Sequence, residues 1–209
     1  MFATVLQYIS ILSPLLVLLV GIRKWKSFLW FYCLADLVAD LSISMVRYIL
    51  HGNFQLLAIL YMPLEFILLT LIFNYKFKLP KSWLAALIII PILIYSYLAI
   101  QNGAKYTMTP GSVFSFTYII FTLLGYYFII KEPKAIFLDR DWFFWFCTAV
   151  AMYAAGSFLI FLFFDYIKNH SMSMLAKLWT YVFTILNLLK NILLTFSIWR
   201  FTKSSHEPH

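Results

Sequence analysis

Apolar runs about as long as a membrane is thick, one after another with short polar breaks, constrain this chain more than any motif in it. Seven such stretches cover residues 4–22, 27–50, 54–77, 82–100, 111–130, 142–167 and 174–201. A hydrocarbon core of about 30 Å is crossed by roughly 20 helical residues. Backbone inside lipid must satisfy its own hydrogen bonds, so helices are the natural spanning form for runs of this length. The pattern predicts an all-α polytopic membrane protein, a seven-transmembrane-helix bundle in which residues 1–209 form one domain. Composition agrees: 64% of residues are hydrophobic and 11% charged, whereas soluble domains carry about 25% charged residues. The outer solvent of such a chain is expected to be the lipid bilayer.

The basic residues sit in short clusters between the apolar runs, so the net charge of +8 reads as membrane orientation and not as a nucleic-acid face. Arg23, Lys24 and Lys26, then Lys76, Lys78 and Lys81, then Lys131, Lys134 and Arg140, and finally Arg200 and Lys203 fall on one side. Arg47, Lys105, Lys168 and Lys177 fall on the other. This bias predicts an N-terminus outside and a C-terminus in the cytoplasm, and it suits a bacterial inner membrane. Trp25, Trp30, Trp83, Trp142, Trp145 and Trp199 cluster at the predicted inner ends, as interfacial anchors do, while Trp179 lies near the outer face. The opening MFATVLQYIS lacks the basic start of a secretory signal, so the first run is expected to stay as a membrane helix.

Internal similarity is visible between the first and last three runs. Residues 5–26 align without gaps to 113–134, the second and sixth runs open on FLWF and FFWF, and EFILLT at 65–70 parallels KNILLT at 190–195. A duplication would make two parallel three-helix units joined by the fourth helix. That layout resembles the three-plus-one-plus-three plan of the SWEET sugar transporters. The resemblance is one of layout only, because Pro14, Pro63 and Pro91 are not followed by the glutamine of that family's loop signature.

Ionisable groups at membrane depth cost a few kcal/mol each, so each needs a partner or a purpose. The second run carries Asp36, Asp40, Ser44 and Arg47 on one helical face. The third carries Glu65, one turn from Tyr61, and the seventh carries Thr180, Thr184, Asn187, Asn191 and Thr195 with Lys190 beside them. At about 1.5 Å per residue, Asp40, Glu65 and Asn187 fall near the midplane. A single polar cluster is therefore expected between the second, third and seventh helices. Lys190 would neutralise Glu65 or one of the aspartates, and Arg47 would snorkel outward. Three carboxylates against one deep cation leave negative charge over, so a proton- or cation-binding site is expected at Asp36, Asp40, Glu65, Asn187, Lys190 and Asn191. The competing reading is a structural network that fixes helix packing. Pro63, two residues before Glu65, is expected to kink its helix there.

Other chemistries find little support. A lysine in a seventh helix invites comparison with microbial rhodopsins, but the aspartate expected four residues earlier is Leu186, and no retinal or other cofactor is expected. His51, His170, His206 and His209 lie outside the run centres, and Cys33 and Cys147 form no ligand spacing, so neither a metal site nor catalysis is expected. Two function classes remain: an ion- or proton-coupled carrier of a small solute, and a receptor-like sensor or accessory subunit that acts through a membrane-protein partner.

Overall fold

A computed structural model of the chain describes residues 2–48, 55–101, 108–131 and 138–204, and the regular structure among them is helical throughout. The chain runs through α1 (Phe2–Leu12), α2 (Pro14–Val20), α3 (Phe28–Tyr48), α4 (Gln55–Phe77), α5 (Lys81–Gln101), α6 (Gly111–Lys131), α7 (Trp142–Leu162), α8 (Phe164–His170), α9 (Met172–Lys177) and α10 (Thr184–Ser204). A π-helical segment, Leu178–Phe183, joins α9 to α10. Six helices among the described residues are long and apolar enough to cross a membrane, the last of them running unbroken from Met172 to Lys203.

The first apolar run differs from the single span expected. It forms two short helices, and its apolar part, Val5–Val20, is shorter than the other six. The cause is local. Pro14 has no N–H to give to the carbonyl of Ser10, and that carbonyl instead accepts from the Ser13 hydroxyl at 2.6 Å and the Ser13 amide at 3.2 Å. The sixth run also ends sooner than expected, because Phe163 leaves helical geometry and α8 restarts beyond it.

Proline acts differently in α4. Pro63 lies inside a continuous helix and leaves the carbonyl of Ile59 without its helical donor. The Tyr95 hydroxyl of α5 donates to that oxygen at 3.1 Å, so the defect becomes a helix-to-helix tie.

Neighbours in sequence are neighbours in space, and the bundle closes into a ring. Trp30 of α3 donates its indole N–H to Leu18 of α2 at 3.2 Å, and Tyr61 of α4 reaches Asp36 of α3. Phe114 of α6 stacks on Phe66 of α4 and on Tyr95 of α5, with ring centres 4.6 and 4.7 Å apart. Gly125 of α6 sits where any Cβ would meet Cys147 of α7, and Gly156 of α7 does the same for Leu186 of α10. Small residues here allow close helix approach. The ring is shut by Ile198 of α10, which packs onto Gly21 at the end of α2.

Lipid explains the outer surface. Only Pro91 and Tyr95 of α5 are buried, while Ile89, Ile90, Leu93, Ile94 and Ile100 are exposed. A water-facing protein rarely shows so large an apolar patch. The chain is a helical bundle of membrane type.

The two ends of the ring differ. One is basic, with Lys76 3.8 Å from Asp141, Arg200 3.7 Å from Asp139, and the Lys24 ammonium over the Phe201 ring. Its interior is filled by aromatic packing, in which Phe73 meets Phe121, Phe143 and Phe146 at 5.3, 5.8 and 5.1 Å. Trp142 joins this packing, against Phe143 and Phe201. The opposite end holds a smaller apolar cluster of Met108, Phe161, Phe164 and Leu175. Between the two lies the polar interior.

Candidate functional site

Asp36 faces the ring interior from α3, and Lys190 faces it from α10. The Lys190 ammonium lies 3.0 Å from Asp36 Oδ2 and 4.0 Å from Glu65 Oε1 of α4. Lys190 is only 1% exposed, so its charge depends on these partners. It also sits over the rings of Tyr153 and Tyr32, 4.6 and 5.7 Å from their centres. Each carboxylate has a second donor: the Tyr61 hydroxyl gives a hydrogen bond to Asp36 Oδ1 at 2.8 Å, and the Tyr32 hydroxyl gives one to Glu65 Oε1 at 3.2 Å. Of the three carboxylates expected as partners for Lys190, Asp36 is the closest.

Asp40 is placed differently. One turn along α3 from Asp36, it has no cation within 4 Å among the described residues. Its neighbour is the Asn187 amide, whose Nδ2 lies 3.5 Å from Asp40 Oδ2 and 3.1 Å from the Ser10 hydroxyl. Asn191, one turn further along α10, donates to the Ser13 hydroxyl at 2.7 Å, and its own side-chain oxygen is buried without a partner. The side chain of Arg47 lies outside the described set, as do His51, Lys105, Lys134, His206 and His209.

A partly open cavity of about 200 Å³ reaches this cluster. Asp36, Asp40, Glu65 and Asn187 line its polar part, and Lys190 and Asn191 do not. Phe114, Phe161, Trp179 and Phe183 line its apolar part. The walls extend to Met108, Gly111 and Trp179, near the first residues of α6 and of the π-helical segment, which is the end opposite the basic one. At the basic end a separate cavity of about 230 Å³ lies among Leu29, Ile72, Trp142 and Phe201 and shares no lining residue with this one, and the aromatic packing around Phe73 belongs to that half of the bundle.

The π-helical segment helps to shape the wall. Its wider turn stacks Trp179 on Phe183 with centres 4.6 Å apart and planes 9° apart, and the Thr184 hydroxyl bonds the Trp179 carbonyl at 3.3 Å. Such segments recur at functional sites. Trp179 thus forms part of the cavity wall, at the end where the sequence places it. Tyr118 of α6 also lines the cavity, and its hydroxyl is buried with no hydrogen-bond partner.

Sequence reasoning brought together Asp36, Asp40, Glu65, Asn187 and Lys190, and the structure places all five side by side. It put Asn191 in the same site, whereas that residue ties α10 to the break between α1 and α2. It did not find Ser10, Ser13, Tyr32, Tyr118 or Tyr153. The three-residue step from Ser10 to Ser13, set against the four-residue step from Asn187 to Asn191, was the available signal for the first two. No known family model, curated protein or solved structure matches this chain.

Proposed function

We propose that this chain is an integral membrane protein of seven spans, the broken α1–α2 unit being the seventh, which carries a small solute or proton across the bilayer through the cavity at Asp40. The observation that carries the reading is the partly open cavity, lined by three carboxylates of which Lys190 meets only two. Binding sites of carriers form near the midplane, beside interrupted helices that expose backbone and hydroxyl groups. The α1–α2 break, with Ser10 and Ser13 bonded to Asn187 and Asn191, fits that pattern.

Two further features support the arrangement. Lys24, Lys76 and Arg200 share one end of the bundle, in keeping with that end in the cytoplasm, the N-terminus outside and a bacterial inner membrane. In each half the middle helix in sequence lies between the other two, α3 between α2 and α4 and α7 between α6 and α10. With α5 as the linker, this suits two parallel three-helix units.

One observation favours the sensor or accessory-subunit reading. Phe73, Phe121, Phe143 and Phe146 pack together towards the basic end, the cavity at Asp40 does not include them, and a receptor needs no passage there. Proteoliposomes loaded with a pH-reporting dye separate the two. The carrier reading predicts solute-driven proton flux that Asp40→Asn abolishes. Ligand binding with no flux of proton or solute would leave the sensor reading in its place.

A further inference from the structure

The contents of the cavity narrow what it can hold. Lys190 lies behind the wall and is committed to Asp36 and Glu65, so a ligand meets no free cation there among the described residues. It meets Asp40, a carboxylate whose one described hydrogen-bond partner is the neutral Asn187 amide. An anionic solute would face repulsion with nothing to offset it. Among the described residues no three His, Cys, Asp or Glu side chains converge as a metal-binding set.

The apolar wall has its own chemistry. Trp179 and Phe183 are stacked nearly parallel, and Phe114 is held in place by Phe66 and Tyr95. Held against one another in this way, the rings form a fixed apolar wall against which an apolar body can pack. At about 200 Å³, the cavity is smaller than the roughly 300–1,000 Å³ of drug-sized sites.

Building on the solute-binding reading above, we propose that the cavity takes a small organic amine in its protonated form, its ammonium group at Asp40 and a flat apolar body against Trp179 and Phe183. Lys190 then has a second effect: by holding Asp36 and Glu65, it leaves Asp40 as the carboxylate that sets the ligand's charge.

Calorimetry on the purified full chain in lipid nanodiscs tests this with three probes: 2-phenylethylammonium, 2-phenylethanol as its uncharged counterpart, and ethylammonium as its ring-free counterpart. The proposal expects 2-phenylethylammonium to bind, and each of the others to bind at least about tenfold more weakly. Asp40→Asn should weaken the first probe by a similar factor, and Asp40→Glu should restore it. Equal binding of the alcohol, equal binding of ethylammonium, or no binding of 2-phenylethylammonium would overturn the proposal, and these arms need only the unaltered protein. Amine binding without flux would overturn the carrier reading and keep the amine site. Asp40-dependent proton flux without amine binding would overturn the amine site and keep the carrier.

Discussion

Lys190 Nζ and Asp36 Oδ2 lie 3.0 Å apart although 154 residues separate them in the chain, and this pair joins α10 to α3 across the interior of the ring. Both side chains are almost fully buried, at 2% and 5% exposure. In such surroundings the cost of removing one partner exceeds the value of the pair itself, because the other charge is left behind.

Lys190→Met should therefore destabilise the protein by about 3 kcal/mol, since it strands both Asp36 and Glu65. Adding Asp36→Asn to the same chain should recover part of the loss, so the double variant is more stable than the sum of the single effects predicts. Equilibrium unfolding in mixed micelles measures both. Additive losses would mean that the two residues are not partners in the membrane.

The contact of Gly156 with Leu186 gives a packing test of the α7–α10 interface. A methyl group at position 156 runs into the Leu186 side chain, so Gly156→Ala should cost about 1–3 kcal/mol. Leu186→Ala, combined with it, should return most of that stability by clearing the space. A Gly156→Ala protein as stable as the parent would show that Leu186 yields to the added methyl or that α7 and α10 stand further apart.

Ser13 carries the tie between the broken first run and α10. Ser13→Ala removes the acceptor of the Asn191 amide, whose carbonyl oxygen already lacks a partner. Hydrogen bonds between membrane helices average about 0.6 kcal/mol, and the stranded amide should raise this loss above that of a typical pair. Thermal unfolding of Ser13→Ala beside Ser13→Ala with Asn191→Leu checks it: the second change should recover stability, because it replaces the stranded amide by an apolar group.

The sequence made much of this legible, for physical reasons. Charges in apolar runs are few, so Asp36, Asp40, Glu65 and Lys190 stand out, and helical periodicity alone puts the two aspartates on one face with Asn187 and Asn191 on another. Periodicity does not choose partners. It could not tell that Lys190 would take Asp36 at 3.0 Å and Glu65 at 4.0 Å and leave Asp40 aside. Tyr32 and Tyr118 resemble ordinary aromatic filling until the ring closes around them. The break at Ser13 was hidden because Pro14 is compatible with either a kinked helix or a helix start, and a π-helical segment at Leu178–Phe183 leaves no mark in apolar periodicity.

A carrier of the kind proposed loads Asp40 from the face opposite the basic end, along the open side of its cavity. Asp40→Cys, treated in oriented membrane vesicles with a charged, membrane-impermeant thiol reagent, measures this most directly. The unaltered protein supplies the background, since Cys33 and Cys147 are both buried. Asp40→Cys should be modified from the face opposite the basic end and not from the basic face. Modification from the basic face, or none from either, would contradict it.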